Sequence, residues 1–270
     1  MSNTPPVLSP EQVLEKLRQH ADPQVVQGQS RFGSRPAHPL GIKIPVLRTI
    51  AKEIGRNHAL GLALWTSGIH EARILAAMID EPQYVTCEQM EAWVRDFDTW
   101  DVCDQVCGGL FDKTPYAYQK AIEWCHREEE FVRRAGFVLM AYLAVHDKRA
   151  SDKMFSPFFP LIKQYATDER NFVKKAVNWA LRQIGKRNVQ LRTQAIACGE
   201  EIQQVNSRAA RWIASDALRE LRKIAKTSSG VESNSDEGAW RRFQSLRCSP
   251  LSSMSGSYEG SVAKNLEPRK

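Results

Sequence analysis

The sequence has no long hydrophobic run and no leader-like start. No stretch reaches about 18 consecutive apolar residues, so no membrane-spanning helix and no membrane partner is expected. The first residues combine neither a basic region nor an apolar core, which argues against a secretory signal. We therefore expect a cytoplasmic protein, nucleoid-associated if the source is a bacterium, and a nuclear location stays open.

Cysteine and histidine are also sparse, and their spacing is not that of a metal site. Cys103 and Cys107 share a helix face and Cys125-His126 lies further along, but a zinc site needs more ligands at tight spacing. Gly108-Gly109 follows no strand pattern, so it is not a dinucleotide loop. We expect reduced core thiols, no metal and no cofactor.

Charge is distributed unevenly along the 270 residues, whose net charge is +7. Residues 1–130 carry 13 basic and 18 acidic side chains, whereas residues 131–226 carry 19 basic and 8 acidic ones. A basic segment of this kind indicates a polyanionic partner such as nucleic acid. The same pattern also fits a set of solvated, basic helices.

Apolar spacing is helical throughout and no strand-like alternation occurs, so the fold class is all-α. Pairs of helices recur roughly every 40 residues from about residue 70, which is typical of a HEAT-like repeat. Residues 227–270 are rich in serine and poor in apolar residues, so we expect a helical domain over 1–226 and a disordered tail. Helices are predicted over 9–20, 45–58, 70–80, 86–96, 99–112, 115–127, 130–146, 151–166, 169–187, 189–204 and 207–226.

The predicted helix over 99–112 carries a tryptophan and a carboxylate four residues apart. Val102 and Val106 belong to its core face, while Trp100 and Asp104 are neighbours on another face. Gly108 is expected to leave open space beside Asp104. An indole and a carboxylate then line one open patch, although half-buried packing explains the spacing equally well.

The predicted helix over 169–187 carries a basic stripe that is interrupted by an indole. Lys175, Trp179, Arg182 and Lys186 recur at helical spacing, nearly opposite the apolar stripe. Such interleaving suits a ligand with phosphates and bases, and it also fits a solvated face.

Two arginines stand at the start of the predicted helix over 130–146, which is otherwise apolar. Arg133 and Arg134 could each bind a phosphate or a carboxylate in bidentate fashion. An ordinary cation at a helix end is the other interpretation.

Four segments together resemble the AlkD-type DNA alkylation repair glycosylases, which are built from HEAT-like repeats. They are Gly41–Arg48, the W-D-x-x-D element Trp100–Asp104, Phe131–Ala135 and Lys175–Arg182. Their order and spacing match the family over roughly residues 10–226. Thr99 departs from the pattern, because some relatives have a second tryptophan there.

The resemblance implies a fold, an activity and a set of site residues. The fold would be a right-handed superhelical stack of antiparallel helix pairs with a concave basic face. The activity would be hydrolysis of the N-glycosidic bond of cationic N3- or N7-alkylated purines in duplex DNA by a monomer, without flipping of the base. Asp104 would be the catalytic carboxylate, Trp100 and Trp179 would hold the nucleotide, and Arg134 or its neighbour Arg133 would contact the backbone.

Two other functions remain open at this stage. One is a nucleic-acid-binding repeat without catalysis, against which the presence of Asp104 argues. The other is a protein-interaction scaffold, for which only the fold class speaks.

Overall fold

Thirteen α-helices follow one another in a computed structural model, which describes residues 8–29 and 36–228, and these residues include no β-strand. The all-α prediction is therefore confirmed. The predicted tail lies outside the described residues apart from its start, since the last helix continues to Ser228. No helix within the described ranges is both long and apolar enough to cross a membrane. The helices are α1 (Pro10–Gln19), α2 (Pro23–Gln29), α3 (Ile44–Ile54), α4 (His58–Thr66), α5 (His70–Ile79), α6 (Cys87–Arg95), α7 (Trp100–Gly109), α8 (Ala117–Cys125), α9 (Glu130–His146), α10 (Phe158–Gln164), α11 (Asn171–Arg187), α12 (Val189–Gln203) and α13 (Arg208–Ser228).

Local sequence signals set several helix boundaries. Ser9 and Gln12 form a reciprocal capping box that starts α1. Gly55 ends α3 with a φ of 76°, a conformation that costs glycine little and other residues more. The side chain of Asn57 then accepts the Leu60 amide and starts α4.

The predicted helices differ from the structure in three places. Helix α2 was not predicted, and α4 was missed because its sequence is apolar on most sides and shows little amphipathic period. The single helix predicted over 151–166 is broken: only Phe158–Gln164 is α-helical, flanked by short 3₁₀ turns.

The helices pack as stacked pairs, as the repeat spacing predicts. The odd-numbered helices from α3 to α13 form a row in which each packs against the next odd one, and α4, α8 and α12 pack against their successors in the chain. This arrangement confirms the repeat architecture. The right-handed sense of the stack and its concave basic face stay predictions.

Close contacts fix α9 between α7 and α8. A Cβ on Gly136 would fall 2.8 Å from the Cys125 backbone nitrogen, so only glycine allows α8 and α9 to approach this closely. On the other side, the Cys107 thiol lies 3.9 Å from the Ala135 carbonyl oxygen. This packing places the first turn of α9 beside the middle of α7, where Asp104 lies.

Candidate functional site

Asp104 and Arg134 form a buried ion pair between α7 and α9. Arg134 Nη2 donates to both carboxylate oxygens of Asp104, at 2.8 and 3.0 Å, and Nε donates to Oδ1 at 3.1 Å. Arg134 Nη1 donates to the Phe172 carbonyl on α11 at 2.7 Å. One guanidinium thus joins three helices of the row and holds the carboxylate in a fixed orientation.

The burial of this pair corrects the open patch expected from the helical spacing. Asp104 is 2% exposed and Arg134 is 6% exposed. Burial alone would lower the pKa of the Arg134 guanidinium, but the charge and hydrogen bond of Asp104, together with the neighbouring thiols, raise that pKa. Helical spacing was misleading because the face opposite the α7 core stripe is covered by α9, a helix 30 residues away in sequence.

The space expected beside Gly108 is also filled. A Cβ built on Gly108 would fall 2.2 Å from the Tyr142 ring, so the tyrosine occupies the position above the glycine. Tyr142 in turn meets the Trp179 ring edge-on, with centroids 5.0 Å apart. Gly108, one turn after Asp104, is therefore covered by the aromatic ring of Tyr142.

Trp100 and Trp179 differ in their surroundings. Trp100 opens α7 one turn before Asp104 and is half-buried. Trp179 is 8% exposed, packed against Tyr142 from α9. The prediction that Trp179 sits among cations on a stripe nearly opposite the core is wrong, because Tyr142 of α9 covers that side of α11.

The two adjacent arginines bind different partners. Arg133 Nη1 donates to Asp168 at 2.9 Å and its Nε donates to the Cys125 carbonyl at 3.0 Å. Its guanidinium also lies 4.7 Å from the centroid of the Tyr165 ring. Arg133 therefore serves a separate cluster, and Arg134 is the arginine that adjoins Asp104.

The predicted basic stripe of α11 is partly neutralised by α13. Arg182 lies 3.3 Å from Asp216 and also pairs with Glu220, which pairs with Lys186 as well. Burial by itself raises the pKa of Glu220, but hydrogen bonds from Lys186 and Arg182 outweigh it and lower that pKa. The two cations that were expected to meet solvent thus hold α11 against α13.

Lys175 retains the character that the stripe predicted. Its side chain is exposed, and it forms no ion pair with any residue in the described ranges. Partial burial and then the positive charges of Arg134 and Lys174 lower its pKa. Lys175 is thus a cation close to the Asp104–Arg134 pair and available to an anionic ligand.

The sequence reasoning missed a histidine that supports the start of α7. His70 Nε2 lies 3.0 Å from Asp101, the residue between Trp100 and the core stripe. Burial lowers the pKa of His70, but the hydrogen bond and charge of Asp101 raise it further than burial lowers it. The neighbouring Glu71 accepts three backbone amides from residues 40–42. The available signal was the polar pair His70-Glu71 at the start of a helix whose second half is entirely apolar.

The thiols have the environment of core residues. Cys103, Cys107 and Cys125 are buried and reduced. Burial first, and then the neighbouring Cys103, raises the pKa of the Cys107 thiol well above its usual range, so it is a poor nucleophile. Within the described ranges, no group of three or more potential ligands is placed to hold a metal ion.

A row of stacked helix pairs, with a buried carboxylate where three helices meet, defines a protein of the helical-repeat class. The chain belongs to the family of DNA alkylation repair enzymes, whose sequence model matches residues 13–221. A search of curated proteins gives no match.

A solved structure has a similar fold. It comes from a family described as new, related to the HEAT-like repeat DNA glycosylases and with affinity for branched DNA structures. The TM-score is 0.65 at 18% sequence identity, and the match covers 79% of this chain and 95% of that one. At this identity the likeness establishes the fold, and it agrees with the family match.

Proposed function

We propose that this protein is a DNA glycosylase that releases cationic N3- and N7-alkylated purines from duplex DNA. Asp104 is the catalytic carboxylate, and Trp100, one turn before it on α7, and Trp179 on α11 hold the nucleotide that carries the lesion. The observation that carries the proposal is the Asp104 carboxylate itself, held by three charge-assisted hydrogen bonds from Arg134. Membership in a family of DNA alkylation repair enzymes supports it.

The fixed carboxylate matches the charge that develops in the reaction. When the bond between the sugar C1′ and the purine nitrogen breaks, its electron pair moves to the base and neutralises the positive charge there. The sugar becomes an oxocarbenium-like cation, which water attacks at C1′. Asp104 stabilises that cation, accepts a hydrogen bond from the attacking water and takes up its proton as the C1′–O bond forms, as carboxylates do in glycoside hydrolysis.

The cationic leaving group explains why a single carboxylate suffices. An alkylated purine departs as a neutral base, so no acid is needed to protonate it. Arg134 holds the Asp104 carboxylate in a fixed orientation through its bidentate hydrogen bonds. Lys175, exposed and close to Arg134, is placed to bind a backbone phosphate beside the lesion.

The packing around Asp104 favours a mechanism without base flipping. The Tyr142 ring fills the position above Gly108, so this side of the carboxylate is occupied by protein. Because Asp104 is almost fully buried, the side chains that cover it must shift when DNA binds. A sugar that approaches from the duplex needs a smaller shift than a purine that enters a pocket.

The test is a base-release assay. The protein is incubated with duplex DNA that contains 7-methylguanine, and the free base is quantified by chromatography and mass spectrometry. We expect release by the unmodified chain and a loss of at least about 100-fold for Asp104→Asn, the scale of removing a principal electrostatic group. Equal rates for the two proteins, or no release by either, would exclude the proposed activity.

A matched control separates chemistry from stability. Asp168 is also a buried carboxylate bound by arginines, Arg133 and Arg170, but it belongs to a different cluster. Asp168→Asn therefore imposes a similar loss of a buried ion pair without touching Asp104. We expect it to retain base release at temperatures where circular dichroism shows both variants folded.

The second candidate is DNA binding without base release. The observation that favours it is that Arg134 contacts both oxygens of Asp104 and so offsets its charge. The solved relative's affinity for branched DNA makes junctions and flaps the ligands to compare with duplex. Tight, salt-dependent binding with no free base from any alkylated substrate would support this function over the first.

A further inference from the structure

An exposed tryptophan stands on the outer face of α13. Trp212 is 40% exposed, and the Lys174 ammonium from α11 lies 5.5 Å from the centroid of its ring. A single exposed apolar residue is common on protein surfaces and needs no special explanation. Its surroundings decide whether this indole has a role.

The surroundings of Trp212 are basic. Lys174 approaches it from the start of α11, and Arg208 and Arg211 precede it in the first turn of α13. The nearby carboxylate of Glu169 is engaged in starting α13, since it accepts the Ala209 amide at 3.0 Å and faces Arg208 at 3.7 Å. The indole thus has the Lys174 ammonium beside its ring and Arg208 one helical turn before it, while the Asp216 carboxylate one turn after it is engaged by Arg182 and Asn178.

This surface is continuous with the candidate active site. Arg134 donates to the Phe172 carbonyl in the first turn of α11, and Lys174 and Lys175 follow two and three residues later. Lys175 follows Lys174 directly on α11, and the positive charge of Arg134 also acts on it. Lys174 and Lys175 therefore form a basic surface along which a DNA strand bound at Asp104 extends toward Trp212.

We propose that Trp212, together with Lys174 and Arg211, is a second DNA-contact site, which stacks an unpaired nucleobase while the cations bind the adjoining phosphates. An aromatic ring among cations is the arrangement by which proteins hold single-stranded nucleic acid. An unpaired base is required because a paired base presents only its edges to the outside. The inference rests on the proposed function in one respect, namely that the ligand is DNA.

The experiment compares two labelled DNA ligands of equal length by fluorescence anisotropy. One is a fully paired duplex and the other carries a central run of four unpaired thymines. We expect Trp212→Ala to weaken binding of the second ligand about 5- to 20-fold, the scale of one stacked base, and to change binding of the duplex less than twofold. Trp212→Phe retains a ring and should lose less than Trp212→Ala.

Tyr84→Ala is the matched control. Tyr84 is an even more exposed aromatic, at 56%, and lies beside His58 in the first half of the chain. We expect its removal to leave both affinities unchanged. Lys174→Ala should weaken both ligands and reduce the slope of affinity against salt concentration.

Two results would overturn the proposal: equal loss on both ligands with Trp212→Ala, or no loss on either. An unchanged DNA affinity combined with binding of an acidic peptide would assign the surface to a protein partner instead. The outcome is independent of the glycosylase test, because Asp104→Asn removes base release and leaves the indole in place. DNA binding that depends on Trp212 in a protein without base release would therefore refute the catalytic proposal alone.

Discussion

The ion pair between Arg134 and Asp104 leads to a quantitative prediction of stability. Both side chains are almost fully removed from water, so replacing either one leaves an uncompensated charge in the interior. Breaking such a pair costs about 3–5 kcal/mol. We therefore expect Arg134→Met to lower the free energy of unfolding by about 3–5 kcal/mol, which corresponds to a fall in Tm of roughly 6–20 °C for a domain of this size.

The double variant isolates the electrostatic part of that loss. Replacing both partners by apolar groups, Arg134→Met with Asp104→Leu, removes the unpaired charge, and such replacements are often neutral or stabilising. We expect the double variant to be more stable than Arg134→Met alone by at least about 2 kcal/mol. The assay is urea denaturation followed by circular dichroism at 222 nm.

A less buried ion pair supplies the comparison. Arg182 also bridges two helices, but its pairs with Asp216 and Glu220 are only partly buried, so Arg182→Met should cost about 0–1 kcal/mol. A loss below about 1 kcal/mol for Arg134→Met would mean that the Asp104 pair is hydrated in solution. Additive losses in the double variant would lead to the same conclusion and would remove the argument for a rigidly held carboxylate.

Three further predictions concern the framework of the site. Gly108→Ala should lower the free energy of unfolding by about 1–3 kcal/mol, because its Cβ would overlap the Tyr142 ring. Gly109→Ala is the control and should leave it unchanged, since the nearest atom to its Cβ is 4.0 Å away. Equal melting temperatures for the two variants would contradict this packing. Glu71→Gln weakens three charge-assisted hydrogen bonds of 2.6–3.2 Å from backbone amides. We expect the free energy of unfolding to fall by about 1.5–3 kcal/mol and residues 36–43 to be cleaved faster by proteases. Unchanged cleavage would argue against a role of Glu71 in holding this segment. Burial by itself raises the pKa of Asp168, but its arginine partners lower that pKa below the usual value. Its contribution to the free energy of unfolding is therefore present above about pH 5 and is lost as pH falls through the depressed pKa. Asp168→Asn should flatten the fall in unfolding free energy between about pH 6 and 3, and parallel curves for the two proteins would show that this carboxyl does not contribute.

Much of the fold could be predicted from local pattern. Amphipathic spacing located most of the helices, and the recurrence of helix pairs indicated the repeat. The failures have local causes as well. Helix α4 is apolar on most sides and lacks a periodic signal, and α10 begins only after Pro157, which occupies its N-cap.

The site was predicted less completely, because the residues that complete it come from other helices. The motif around Trp100 and Asp104 drew attention to the right carboxylate. Its partner Arg134 was assigned to the DNA backbone, whereas in the structure it binds Asp104. Tyr142 was not considered at all, since nothing in the sequence of α9 shows that a glycine on α7 will make room for its ring.

The sequence by itself determined which side chains are chemically capable and how they are spaced along each helix. Helical periodicity is a local property, so the positions of Asp104, Lys175 and Trp179 on their own helices could be derived. Only the tertiary structure decided which helix faces meet. It enclosed the predicted open patch, gave Asp104 a buried cation, neutralised Arg182 through α13 and left the surface around Trp212 exposed. The physical reason is that burial and charge pairing depend on contacts between residues 30 or more positions apart, which no spacing within a single helix encodes.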